Sequence, residues 1–217
     1  MRKVKFINGE YYHIYNRGVD KRTVFECQED LDRFFQSMNE FNVIEPIGSI
    51  YQEILRRKKI GDLVSKEERL VEFTCYCLNP NHYHFVLRQI VEEGIKKFMH
   101  KLSLGYTMFF NKKHKRSGSL FQGPFKAIHI DSNEYLLHLS AYVNLNYQVH
   151  NLEKFGGRAS KLLKSSWGEY IGENKENFCK KDIILHQFGS ALDYKNFAED
   201  SLKRIKENKE IKKFLLE

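Results

Sequence analysis

Apolar residues recur at helical spacing in three stretches of this sequence and gather into β-rich runs in four others. Tyr11 to Asn16 is rich in β-formers and ends at Arg17-Gly18, a turn signal, which predicts a first strand. Leu31, Phe34, Phe35, Met38 and Phe41 follow a 3.6-residue period and predict an amphipathic helix. Val71 to Leu78 and Tyr83 to Gln89 are two further β-rich runs, and Asn79-Pro80-Asn81 between them predicts a hairpin. Glu92 and Glu93 suit the start of a second helix, on which Ile95, Phe98, Met99, Leu102, Tyr106 and Phe109 form the apolar stripe. Phe125 to Ile130 follows Gly123-Pro124 as a short last strand. Asp131 and Glu134 then have capping-box spacing and open a third helix reaching about Val149. The order β-α-β-β-α-β-α predicts an α+β fold, a ferredoxin-like βαββαβ antiparallel sheet with an additional helix after it. Residues 46–70 are charged and read as either a surface insertion with a short helix or a loop. Past residue 153, Gly156-Gly157 opens a polar tail with no strand signal and room for two or three short helices. The expected division is therefore 1–152 as one domain and 153–217 as a helical tail.

Charge narrows the function classes. Among 217 residues, 36 Lys and Arg against 28 Asp and Glu leave a net charge of +8, which favours a polyanionic partner, nucleic acid before membrane. Between Lys96 and Lys126 lie Lys96, Lys97, Lys101, Lys112, Lys113, Lys115, Arg116 and Lys126 with no acidic residue. Tyr106, Phe109, Phe110, Phe121 and Phe125 interleave with them, although phenylalanines at such spacing are more often core than base-stacking platforms. Lys112, Lys113, Lys115, Arg116 and Lys126 are the candidate DNA contacts. No apolar run reaches the roughly 18–20 residues of a membrane span. The basic start runs into Asn8-Gly9-Glu10 instead of a signal-peptide stretch. Cys27, Cys75, Cys77 and Cys179 form no C-x-x-C pair, which points to reduced thiols and a cytoplasmic protein. A secreted disulfide scaffold, a membrane protein and a zinc finger are disfavoured.

The candidate chemistry begins at His82-Tyr83-His84. Residues i and i+2 of a strand share a face, so both imidazoles can face one metal; taken alone, the motif is better explained by two half-exposed structural histidines. Tyr142 and Asn146, four apart, would share a helix face with His138 one turn earlier. Tyr142 offers a hydroxyl nucleophile and Asn146 a neutral oxygen ligand. His13 reads as a structural strand residue, and His114 and His129 as surface or DNA-facing residues.

Three segments in order carry a resemblance. They are Tyr76 to His84, Arg116 to Lys126, and Asp131 to Asn146 ending Ala141-Tyr142-Val143-Asn144-Leu145-Asn146. Together with Tyr12-His13-Ile14-Tyr15-Asn16-Arg17-Gly18 they resemble the single-tyrosine HUH transposases over residues 8–150, closest to the REP-associated tyrosine transposases and the small insertion-sequence transposases. The resemblance implies that His82, His84 and Asn146 hold Mg²⁺ or Mn²⁺ and that Tyr142 is the nucleophile. It also implies that single-stranded DNA with hairpin structure is nicked and rejoined through a 5′-phosphotyrosine, by a monomer or homodimer. Trp167 resembles the family's tail and would anchor that tail by burial. Two positions depart from the family. Tyr147 replaces a proline, which lets the helix run longer, and Ala141 replaces an arginine, which removes one phosphate contact. Lys203, Arg204, Lys206, Lys209, Lys212 and Lys213, partly balanced by Glu207, Glu210 and Glu217, read as a solvated helix. The alternatives are a non-catalytic single-stranded nucleic-acid-binding module (a domesticated transposase) and a two-histidine RNA phosphoesterase, for which no second H-x-[ST]-like motif is present.

Overall fold

The computed structural model describes residues 4–60, 68–149, 162–174 and 176–207. A five-stranded sheet is built from β1 (Tyr11–Arg17), β2 (Val71–Asn79), β3 (His82–Gln89), β4 (Lys126–Ile130) and β5 (Lys164–Ser165). Its order is β4-β1-β3-β2-β5 with every neighbouring pair antiparallel. The first four strands have the ferredoxin-like order and bear out the expected α+β class. Strand β5 was not expected. It is two residues long and carries too little pattern to register in sequence. It forms because Ser166 grips β2: Ser166 N–H donates to Tyr76 O (3.0 Å) and Tyr76 N–H donates to Ser166 Oγ (2.9 Å).

Helices cover both faces. On one face α1 (Gln28–Glu40) and α3 (Gly94–Lys113) bury Phe34, Met38, Phe98, Leu102 and Tyr106 against Ile14, Tyr83, Phe85 and Leu87. The Phe34 ring packs edge-on to Tyr106 at 4.8 Å and tilted against Tyr83 at 5.5 Å. On the other face α4 (Asn133–Asn144) packs with Cys75, Cys77 and Val86. A bulge in β2 between Phe73 and Cys75 assigns residues to these layers. One extra residue reverses the alternation, so Phe73 joins the α1/α3 core while Cys75 and Cys77 turn toward α4. All four cysteines are free thiols.

Within the 46–70 segment residues 50–60 form α2 (Ile50–Ile60), whereas 61–67 lie outside the described residues. Two helix boundaries differ from expectation. Helix α4 is capped by Ser132, whose Oγ accepts from Tyr135 N–H at 3.2 Å, and not by Asp131. The helix also stops at Asn144. Leu145 leaves helical geometry (φ −106°, ψ 12°), and Asn146 starts the separate turn α5 (Asn146–Val149). Asn144 is tied on both sides there, accepting from Ser166 Oγ (2.6 Å) and donating to Tyr194 OH (2.9 Å).

The tail adds α6 (Trp167–Tyr170), α7 (Asp182–Leu185) and α8 (Ala191–Glu207). Helix α8 is not simply solvated: Tyr194, Ala198, Ser201, Leu202 and Ile205 are buried on the α4 side. Trp167 is half-buried, and Tyr170 and Tyr194, their rings tilted against each other at 4.9 Å, are the deeper anchors. Lys209, Glu210, Lys212, Lys213, Glu217 and Gly156-Gly157 lie outside the described residues.

Asp30 joins α1 to α3. Its carboxylate is fully buried, accepts from the N–H groups of Glu26 (2.9 Å) and Cys27 (3.3 Å), and pairs with Lys113 Nζ (2.8 Å) and His114 Nε2 (3.0 Å). Burial pushes its pKa up, and the hydrogen bonds from Lys113, Glu26 and His114 more than reverse that, leaving it below the usual value. A depressed carboxylate pKa contributes stability that is present above the unfolded value near ~4 and is lost as pH falls through the folded value. Asp30→Asn should therefore lower stability by about 3–5 kcal/mol at neutral pH and flatten the decline of Tm below about pH 4. Thermal melts across pH 3–7 check both effects.

Candidate active site

The residues singled out by sequence converge on the α4 face of the sheet. Alternation along β3 turns His82 and His84 to that face and Tyr83 to the opposite core, where its ring stacks on Phe85 at 4.6 Å. Register pairs His84 with Tyr15 and Cys77, and His82 with Arg17 and Asn79. The two histidine rings stand perpendicular at 5.2 Å. Tyr142, on α4, sets its ring edge-on to His84 at 5.5 Å. Asn146, at the first position of α5, brings Oδ1 to 3.0 Å from His82 Nε2. The break at Leu145 thus leaves Tyr142 and Asn146 in one site without one continuous helix between them.

The hairpin turn holds His82 in a defined tautomer. Val24 N–H donates to Pro80 O (2.7 Å) and Gly18 N–H to Asn81 O (2.8 Å), so the segment after β1 pins the turn. Asn81 Nδ2 donates to Lys21 O (3.1 Å), which orients its amide and turns Oδ1 toward His82 Nδ1 at 2.6 Å. A carbonyl oxygen only accepts, so His82 carries its proton on Nδ1 and a lone pair on Nε2. His84 Nδ1 lies 2.9 Å from His13 Nε2. Burial pushes the His13 pKa down to about 3, so it stays neutral, and a single proton is shared between the two facing nitrogens. Both histidines accordingly have the supporting partner that metal-binding imidazoles require. His13 and Asn81 were missed as supporting residues because their roles depend on strand register and on the turn's backbone contacts.

The donor set fits a small divalent cation. Among the described residues no three His, Cys, Asp or Glu side chains cluster as a metal site. Two imidazoles and an amide oxygen remain, a mixed set that Mg²⁺ or Mn²⁺ accepts. His82 Nε2 and Asn146 Oδ1 lie 3.0 Å apart, so one cation could be held by both.

Tyr142 is 2% exposed, and its hydroxyl is buried without a hydrogen-bond partner among the described residues. Burial raises its pKa, so the phenol is protonated at neutral pH. Beside it opens a cavity of about 760 Å³ lined by His13, His129, Tyr135, His138, Tyr142 and Arg204, among others. Arg204 comes from α8, so the tail contributes to this cleft. His138 hydrogen-bonds Ser201 of α8 (2.9 Å), and His129 pairs with Glu10 (3.0 Å) at the surface.

The basic stretch divides. Lys126 is exposed on β4 with Nζ 6.0 Å from the centre of the Tyr15 ring, and Tyr15 stacks on His84 at 5.7 Å. Lys112 and Lys115 are exposed at the end of α3, on the other layer of the fold. Lys113, expected among the DNA contacts, turns inward to Glu29 (2.7 Å) and Asp30 (2.8 Å), and the buried carboxylate explains that orientation. His114 joins the same acidic pocket. Arg116 ties its own loop, donating to Asn111 Oδ1 (2.5 Å) and Ser119 O (3.2 Å).

Residues 49–146 match the family model described as IS200-like transposase. No curated protein matches the sequence. One similar solved structure is that of a REP-associated tyrosine transposase bound to a REP hairpin, 12% identical, with a TM-score of 0.44 over 79% of this chain and 85% of that one. The matched segment, residues 49–146, carries His82, His84, Tyr142 and Asn146 and is similar to the IS200-like transposases.

Proposed function

We propose that this protein is a transposase that nicks and rejoins single-stranded, hairpin-bearing DNA with Tyr142 as nucleophile and a divalent cation held by His82, His84 and Asn146. The observation that carries this reading is the meeting of the Tyr142 ring, both imidazoles and the Asn146 oxygen in one buried site within the segment that matches the IS200-like transposases. Tyr142 Oη attacks phosphorus and the P–O3′ bond breaks. The 5′ phosphate stays esterified to the tyrosine, and the departing O3′ leaves as a hydroxyl, the phenolic proton passing to it or to solvent. The reverse attack by a 3′-OH reseals the strand, and a phenolate leaves more readily than an alkoxide. Mg²⁺ or Mn²⁺, when bound, supplies charge to the phosphate oxygens as negative charge builds in the transition state. The raised pKa keeps Tyr142 protonated until a phosphate is in place. Lys126 is the cation best disposed to bind DNA beside His84, with Lys112 and Lys115 farther along.

A hairpin oligonucleotide incubated with protein and Mg²⁺ or Mn²⁺ should yield a protein–DNA adduct that survives denaturant. The burial of the Tyr142 hydroxyl favours the second reading, a binding module without catalysis, and binding with no adduct in either metal would establish it. Lys126→Gln should flatten the log–log dependence of affinity on salt by about 0.7 units for a single strand, whereas Lys113→Gln should leave the slope unchanged. Equal slopes in the two variants would move the DNA path away from β4.

A further inference from the structure

Two hydrogen-bond acceptors face each other at the floor of the site. His82 Nε2 carries a lone pair, because Asn81 Oδ1 takes the proton on Nδ1, and it lies 3.0 Å from Asn146 Oδ1. Lone-pair atoms sit this close when a donor hydrogen or a cation relieves their repulsion. Asn79 does so here. It is fully buried at the last position of β2, opposite His82 in the strand register. Its Nδ2 lies 2.7 Å from Asn146 Oδ1 and 3.0 Å from His82 Nε2, so one NH₂ group serves both acceptors. Its own Oδ1 has no hydrogen-bond partner among the described residues, and neither does Asn146 Nδ2. Two amides buried with one polar atom each unused carry a desolvation penalty that a ligand for those atoms would remove.

We infer that Asn79 is a fourth protein ligand of the divalent cation: its amide stands between His82 Nε2 and Asn146 Oδ1, where its Oδ1 would reach a cation held by both. The inference rests on the metal reading above and names a ligand beyond His82, His84 and Asn146. A half-turn about the last side-chain bond exchanges N and O with almost no change in volume, so the core need not repack. An amide oxygen is a hard, neutral donor suited to Mg²⁺ or Mn²⁺. With four neutral ligands the cation keeps its full charge for the phosphodiester anion.

Calorimetric titration of Mn²⁺ into the full-length parent protein and into Asn79→Leu, Asn79→Asp and His82→Ala tests this. Asn79→Leu should weaken Mn²⁺ binding about tenfold or more, and Asn79→Asp, which adds a carboxylate oxygen at the same place, should tighten it by a similar factor. Metal-free melting temperatures verify the fold; if the Leu variant does not fold, the Asp variant decides alone. Affinity unchanged by Leu, or not raised by Asp, overturns the assignment of Asn79 while leaving the three-ligand site intact. A parent that binds Mn²⁺ no tighter than His82→Ala overturns both that site and its extension.

Discussion

Tyr142→Phe is expected to abolish the covalent adduct and to reduce strand cleavage by at least about 10⁴-fold, with DNA binding retained. The substitution removes one oxygen and leaves the ring against His84 and His13. Stability should be unchanged or slightly higher, because the lost hydroxyl is buried without a hydrogen-bond partner and removing such a group relieves a desolvation penalty. Cleavage of a labelled hairpin, denaturing electrophoresis and a thermal melt read the three effects together. Tyr83→Phe and Tyr135→Phe serve as comparisons. Tyr83 lies in the opposite core against Phe34 and Phe85, and Tyr135 lines the cleft two turns before Tyr142. An adduct of parental yield in Tyr142→Phe would remove the tyrosine from the mechanism.

Loss of the metal should be nearly as severe. Cleavage is expected to stop in chelator and to return with Mg²⁺ or Mn²⁺. His82→Ala and His84→Ala should each reduce Mn²⁺ affinity by more than about 100-fold, because an imidazole ligand is removed outright. His13→Phe keeps a flat ring in the same space and deletes only the 2.9 Å partner of His84 Nδ1, so a loss of about 10–100-fold is expected. Titration calorimetry ranks these variants without reference to activity. Full cleavage by metal-free protein in chelator would exclude a metal role, and parental Mn²⁺ affinity in His13→Phe would return that residue to a purely structural part.

Much of the fold was legible in the chain's own pattern. The period-two exposure of His82 and His84 around Tyr83, the helical stripes of α1 and α3, and the Asn79-Pro80-Asn81 turn are local properties, set by pleat, helical pitch and turn chemistry over a few residues. What was misread depended on partners distant in sequence. Lys113 looked like one more surface cation until α1 brought Asp30 beneath it. Helix α8 looked solvated until α4 covered its apolar side, and its Arg204 then became part of the cleft. The single helix expected to reach Val149 ends at Asn144 because residues 22 and 50 positions farther along the chain take hold of that side chain.

The sequence by itself determined the order of β1 to β4 with α1, α3 and α4, the pairing of two imidazoles on one strand face, and the candidate roles of Tyr142 and Asn146. Each of these follows from spacing within one element or from a motif read in order. Tertiary structure alone decided which neighbours complete the site. The bulge at residues 73–75 sets which face of β2 carries Asn79, the antiparallel register sets His13 beside His84, and the pinned turn sets the proton on His82. A one-residue slip in either strand pairing would send the side chain to the opposite layer, so the make-up of this site is a property of register, which local periodicity does not encode.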